Sequence, residues 1–300
     1  MSRKVFFELV EIKAKTASVF PFLLGLCYSW FQYRSIHLVP LMIYFVAMVL
    51  FNMFVDAWDN YNDYHHAVDV HDYKQNTNVI GREKIDLGLL KRVMGGLFFS
   101  SLILGLVVAL MTGFPVLWLG MICYAVGIFY SAGPRPLSSL PVGEVFSGLT
   151  MGFLIFLICV FINTYQVFTW NLLTLAKVFL VALPNTLLIA NLMLANNTCD
   201  LEEDESNHRY TLVHYIGKRA ALQLWLISII FSFLAIVCAV FLKLTPWTML
   251  LNLLLLPVVV KQSRLYLAKQ VKKETFICSV KILAIMACSQ VVFFGIGLLF

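Results

Sequence analysis

The stretch VFLVALPNTLLIANLMLANNTCDLEED, residues 178–204, begins as an uncharged apolar run and ends in carboxylates. A helix needs about 20 predominantly apolar residues to cross the hydrocarbon core of a bilayer. The run centred near residue 185 meets that need. The acids from Asp200 to Asp204 do not belong in lipid, where a charge at the centre of the bilayer costs about 2.5–3.5 kcal/mol. The stretch therefore reads as a transmembrane helix that emerges at a membrane face carrying its acids with it.

Working outward, eight further apolar runs are centred near residues 25, 47, 103, 122, 154, 231, 253 and 288, which makes nine predicted crossings. Composition agrees: 61% of residues are hydrophobic, only 13% are charged and the mean hydropathy is +0.86. Soluble domains carry about 25% charged residues, so lipid is the solvent for most of this chain. The net charge of +6 does not indicate a nucleic-acid partner, because the basic residues are spread among the loops, where they set topology. No protein partner is deducible. Alternating the loops puts the N-terminus and the 54–93, 133–144, 196–220 and 261–281 segments on one side. All but Arg34, Lys177 and Lys243 of the 22 Lys and Arg residues fall there. Positive charge marks the cytoplasmic face, so the predicted topology is N-terminus inside and C-terminus outside, in the cell membrane. All 16 Asp and Glu residues lie on the same side, which the orientation rule does not require.

Glu8, Glu11, Lys13 and Lys15 interrupt the first apolar patch, so no signal peptide is expected. The seven cysteines stand singly, with no C-x-x-C spacing, and read as small core residues. No linker or composition break divides the chain, and a single membrane domain over residues 1–300 is expected. Two segments stand out, about 54–93 and 196–220. Each follows an apolar helix, begins with acids and later carries Ile-Gly-basic, at Ile80-Gly81-Arg82 and Ile216-Gly217-Lys218. That parallel suggests an internal duplication.

In the first segment Asn52, Asp56, Asp59 and Asp63 are spaced 4, 3 and 4 apart, which stacks them on one helical face. In the second, Asn197, Asp200 and Asp204 share a face in the same way. Stacked carboxylates repel one another and call for a cation. Mg²⁺ takes hard oxygen ligands and typically binds through one or two carboxylates together with substrate phosphates and water. Two such ladders at one face would clamp a diphosphate through Mg²⁺. Asp69, Asp72, Glu83, Asp86, Glu202 and Glu203 read as ordinary loop acids. Lys13, Lys15, Arg82, Lys84, Arg135, Arg209 and Lys218 gather at the same face and are candidates to meet a diphosphate, whereas the charges from Lys261 to Lys281 read as topology and anionic-lipid contacts. The loop Tyr130-Ser-Ala-Gly-Pro134-Arg-Pro136 ends a helix. Tyr64, Tyr124 and Tyr130 are candidates for a cavity wall, where an aromatic face stabilises a carbocation. His65, His66, His71, His208 and His214 form no zinc pattern and read as solvated.

These motifs resemble the UbiA-type intramembrane prenyltransferases, and within them the 1,4-dihydroxy-2-naphthoate polyprenyltransferases of menaquinone synthesis. Asn196-Asn197 through Asp200, Asp204, Glu205, Asn207, Arg209, Thr211-Leu212 and Gly217 is similar to the second Asp-rich motif and its loop. Lys13-Ala-Lys15-Thr16 is similar to the start of the first helix, and Tyr130 to Pro134 with Gly143-Glu144 to the central loop. The first motif departs from the family's N-D-x-x-D: here Asp59-Asn60-Tyr61-Asn62-Asp63 is followed by Asp69. A second registration uses Asn52 and Asp56. The resemblance implies an all-α bundle of nine transmembrane helices around a central cavity, capped by cytoplasmic loops. It implies transfer of a polyprenyl group from its diphosphate to an aromatic acceptor with Mg²⁺. Asp59, Asp63, Asp200 and Asp204 would hold metal, and Lys13, Lys15, Arg82, Arg209, Asn60 and Asn197 the diphosphate. Naphthoate as acceptor rests on the resemblance alone, with hydroxybenzoate and haem as alternatives. An ion-coupled transporter is the rival class, but it would place ionisable groups near the bilayer midplane, and here the midplane is almost free of charge.

Overall fold

The computed structural model describes residues 1–66 and 77–300, with His66 described by its backbone alone. Asp69, His71 and Asp72 lie outside the described residues. The described residues are helical throughout, with no strand among them. Eight helices are long and apolar enough to cross a membrane: 38–65, 87–112, 114–131, 143–164, 172–199, 212–241, 247–268 and 276–297. The ninth expected crossing is α2 (Thr16–Tyr33), an 18-residue helix that is not among those eight. Ser18, Tyr28 and Ser29 lower its apolar content, and all three are buried, so this helix presents polar groups to protein as well as apolar ones to lipid. The chain separates into two compact units.

The first unit comprises residues 1–16 and 38–138. It contains α1 (Arg3–Leu9), a tight turn over Ile12–Lys15, α3 (Leu38–His66), α4 (Val79–Arg82), α5 (Leu87–Thr112) and α6 (Phe114–Ser131). At about 1.5 Å per residue the 29 residues of α3 span roughly 43 Å, more than the ~30 Å hydrocarbon core. The acids sit in its last turns. Those turns are held on two sides. Leu9 and Val10 at the end of α1, and Val79 and Ile80 of α4, pack on Phe54 and Ala57. On the other side Trp58 Nε1 donates to Ile128 O at 3.2 Å, and Asn62 Nδ2 reaches Ser131 Oγ at 3.5 Å. Asp86, expected to be an ordinary loop acid, caps α5 by accepting from the Leu89 N–H at 2.7 Å.

The second unit comprises residues 17–37 and 139–300. It contains α2, the span Gly143–Thr164, α9 (Leu172–Cys199), α10 (Leu201–Ser206), α11 (Leu212–Phe241), the span Trp247–Ala268 and α13 (Phe276–Gly297). The 143–164 span opens as α7 (Gly143–Ser147), widens into a π-type turn over Gly148–Leu154 and closes as α8 (Ile155–Thr164). It packs backbone to backbone on α9. A Cβ at Gly148 would lie 2.6 Å from Thr186 O, and one at Gly152 2.5 Å from Thr186 Cα. Small residues four apart permit this approach in lipid, where dispersion and hydrogen bonds replace the hydrophobic drive. Hydrogen bonds join the other helices: Asn191 Nδ2 to Trp225 O at 2.7 Å, Trp225 Nε1 to Ser279 Oγ at 3.0 Å and Gln290 Nε2 to Asn185 Oδ1 at 3.3 Å. The seven cysteines are free; Cys159 and Cys278 are buried, whereas Cys238 and Cys288 are exposed and are not the core residues expected.

The two Ile-Gly-basic triplets differ in backbone. Gly81 sits inside α4, whereas Gly217 has φ +76° and ψ +157°, a conformation that favours glycine and breaks α11 near its start. Gly152→Ala is expected to lower the melting temperature of the detergent-solubilised protein by overpacking that costs about 1–3 kcal/mol. Gly95→Ala, with nothing within 4 Å of the added carbon, is the control and should melt no lower than wild type.

Candidate active site

Each carboxylate ladder lies at the end of a long helix, and each meets basic side chains there. In the first unit Lys15 is 6% exposed. Its ammonium donates to Asn52 O at 3.0 Å and forms an ion pair with Asp56 Oδ2. Burial pulls Lys15 down to about 8, against a raising influence from Glu11. A buried pair of this kind is a fixture: removing one partner typically costs about 3–5 kcal/mol. The cation beside Asn52 and Asp56 is therefore Lys15 itself, and Asp59 and Asp63 lie one and two turns further along α3.

Several first-unit candidates turn out to hold the frame. Asn60 Nδ2 donates to Leu9 O at 3.2 Å and Asp56 O at 3.0 Å, and Asn60 O accepts from Asn78 Nδ2 at 3.0 Å, so this residue ties α1 and the α4 cap to α3. Arg82 pairs with Glu8 at 2.5 Å and Glu83 at 3.3 Å. Lys13 is exposed on the tight turn. The Tyr124 hydroxyl donates to Ser101 Oγ at 2.8 Å, and its ring stacks on Phe51 with centroids 4.0 Å apart. Tyr124 is thus a packing residue between helices within this unit and not a free cavity wall. Tyr64 and Tyr130 are half-buried, and the Tyr64 ring meets His65 edge-on at 5.3 Å.

In the second unit α9 stops at Cys199, and Asp200 leaves helical geometry with φ −97° and ψ 7° before α10 begins. Asp200 is the N-cap of α10, and the Asp204 N–H donates to Asp200 O at 2.8 Å. Asp200 Oδ2 pairs with Lys272 and accepts from Asn196 Nδ2 at 3.2 Å. Lys272 falls within the segment read as topology and lipid contacts, so that reading does not hold for this lysine. A positive charge four residues before α13, at the face where α9 ends, was the available signal.

Asp204 is 6% exposed. Arg209 Nε approaches its Oδ1 to 3.3 Å without hydrogen-bond alignment, and the Arg209 N–H donates to Asp204 O at 2.8 Å. Asp204 Oδ2 is buried with no hydrogen-bond partner. Burial raises the Asp204 carboxyl to about 6, with Arg209 opposing the shift. Asn197, expected at the diphosphate, is 3% exposed and donates to Glu144 Oε1 at 2.8 Å, so it joins α9 to α7. The loop after α10 is fixed by Tyr210 N–H to Ser139 O at 3.1 Å and by His214 Nδ1 to Glu205 at 2.7 Å.

A buried, unpartnered carboxylate oxygen is a hard donor of the kind Mg²⁺ accepts, and the Asp200 carboxylate lies one turn before it. Among the described residues no three His, Cys, Asp or Glu side chains form a complete metal cage.

The model of the UbiA prenyltransferase family matches residues 18–285, and the chain belongs to that family. It is a prenyltransferase and an integral membrane protein. It is 24% identical over 234 residues to the 1,4-dihydroxy-2-naphthoate octaprenyltransferase of Bacillus subtilis (strain 168), covering 78% of this chain and 73% of that one. Its fold is that of a UbiA homologue from Aeropyrum pernix K1, at TM-score 0.71 and 15% identity over 92% of this chain and 97% of the other. A UbiA homologue from Archaeoglobus fulgidus bound to GPP and Mg²⁺ superposes with TM-score 0.65 and 13% identity, over 97% and 99% of the two chains.

The Asp204 shift gives a stability prediction. The folded state holds this proton more tightly than an unfolded chain with the ordinary value of 3.8. The group's contribution is therefore present below about pH 4 and is lost as pH rises through about 6. In metal-free buffer Asp204→Asn should gain melting temperature relative to wild type at about pH 7.5, and the gain should shrink at about pH 5. An equal difference at both pH values would contradict the buried-carboxylate account.

Proposed function

We propose that this protein transfers a polyprenyl group from an allylic polyprenyl diphosphate to 1,4-dihydroxy-2-naphthoate, a step of menaquinone biosynthesis, with Mg²⁺ assisting departure of the diphosphate. The observation that carries the site assignment is the buried, unpartnered Asp204 oxygen beside Arg209. The curated Bacillus subtilis relative supports the acceptor, and the Archaeoglobus fulgidus homologue with GPP and Mg²⁺ supports the donor and metal.

In this reading Asp59 and Asp63 of α3, with Asp200 and Asp204, hold Mg²⁺. Bound there, Mg²⁺ supplies Lewis-acid stabilisation of the charge that develops on the leaving diphosphate. Arg209 reaches the diphosphate from its place at Asp204, where its guanidinium offers further donors. Lys13 and Arg82 are the basic groups of the first unit able to meet phosphate oxygens, Arg82 by exchanging its exposed pairs with Glu8 and Glu83. Lys15 neutralises Asp56 and fixes the ladder's register, while Asn60 and Asn197 position backbone and Glu144. The apolar helices shelter the isoprenoid from water, which would otherwise quench an allylic cation. Residues 1–300 act as one catalytic domain, a reading supported by a single family match that runs through both compact units. The active site is cytoplasmic, with the N-terminus inside and the C-terminus outside, as the distribution of Lys and Arg favours.

Asp63→Ala and Asp204→Ala are each expected to reduce prenyl transfer by at least about a thousandfold, the scale of losing a principal electrostatic group. Both variants should remain monodisperse in detergent at wild-type yield. Wild-type-like turnover in both would remove the carboxylates from the mechanism.

A further inference from the structure

Lys272 comes from the turn between α12 (Leu256–Ala268) and α13, where Thr275 Oγ1 accepts from the Val271 N–H at 2.9 Å. Its ammonium donates to two oxygens at once, Asp200 Oδ2 and Asn196 Oδ1. Asn196 Nδ2 donates back to Asp200 Oδ2 at 3.2 Å, closing a three-membered set. The ammonium also lies 5.1 Å from the Phe276 ring centroid, which offers it a second favourable seat.

The Lys15–Asp56 and Lys272–Asp200 pairs differ in one decisive respect. The Lys15 and Asp56 side chains are 7% and 24% exposed, whereas those of Lys272 and Asp200 are 43% and 19% exposed. An ion pair open to water on its cationic side contributes little and opens readily. Both oxygens under Lys272 are hard donors, the type a divalent cation takes. An ammonium and a divalent cation cannot both sit closely on Asp200 Oδ2, because they repel each other.

We propose that Lys272 is a displaceable counter-ion of the second carboxylate set. It occupies Asp200 and Asn196 when no metal is bound, and yields them to the divalent cation that arrives with the diphosphate. This inference rests on Asp200 being a metal ligand. The displaced ammonium needs an anion, and the diphosphate provides one, so Lys272 disfavours metal binding alone and couples metal entry to the prenyl donor. Lys272 is thus a positioning residue for the reaction.

The test is Mn²⁺ binding followed by electron paramagnetic resonance, on the full-length protein in detergent without diphosphate, for wild type, Lys272→Met, Lys272→Arg and Asp200→Asn. Lys272→Met is expected to bind Mn²⁺ about tenfold more tightly than wild type, a typical coupling between two ligands of one site. Lys272→Arg should stay near wild type. In metal-free buffer Lys272→Met should melt below wild type, and Mn²⁺ should close that gap. Unchanged or weaker Mn²⁺ binding in Lys272→Met, with binding lost in Asp200→Asn, overturns the role of Lys272 and leaves Asp200 as a ligand. Binding retained in Asp200→Asn overturns the metal assignment of Asp200 itself.

Discussion

Placing several carboxylates at the ends of membrane-spanning helices is the constraint on which this structure turns. The acids lie where the apolar layer gives way to water, so each must find a positive partner or accept a raised proton affinity. Asp56 takes a buried lysine, Asp200 an exposed one, and Asp204 an arginine that approaches one of its oxygens without hydrogen-bond alignment while the other has no hydrogen-bond partner. The gradation matters chemically. A buried pair is fixed and sets geometry, an exposed pair contributes little, and a buried carboxylate with an unpartnered oxygen holds its proton more tightly.

The helices serve these acids in two ways. Their length exceeds the hydrocarbon thickness with the ladders near one end, and their packing holds the ladder ends against neighbouring elements. In the first unit α1 and α4 grip the end of α3 through Asn60 and the core around Phe54 and Ala57. In the second, the glycine-permitted contact of the 143–164 span with α9, and the Asn197 bond to Glu144, hold the helix that presents Asp200. Carboxamides thus do structural service next to the carboxylates. Asn60 and Asn197 are polar neighbours of these acids, and each is bonded to another protein group, Asn60 to Leu9 O and Asn197 to Glu144.

Hydropathy alone located the spans and the all-helical class, because lipid forbids unpaired backbone and leaves helices as the solution. The acidic ladders were equally visible, since 4-3-4 spacing is a direct reading of helical geometry. Pairwise contacts were not visible. Lys15 stood out as basic and near the first ladder, but its partner lies 41 residues away. Lys272 lies 72 residues from Asp200, inside a basic run whose average role as a topology signal concealed one member with a different task. Tyr124 was a cavity-wall candidate by residue type, which does not show that its hydroxyl meets Ser101 and its ring Phe51. The α2 span was expected from its apolar centre, and its buried serines and tyrosine explain why it is the least lipid-like of the long helices.

The most direct measurement is turnover by the purified protein given an allylic polyprenyl diphosphate, 1,4-dihydroxy-2-naphthoate and Mg²⁺, with and without EDTA, the lipid product being identified by mass spectrometry. The account predicts a prenylated naphthoquinol that has lost the carboxyl group, formed only when Mg²⁺ is available. Product formation unaffected by EDTA, or failure to transfer prenyl to dihydroxynaphthoate while another aromatic acceptor is prenylated, would contradict it.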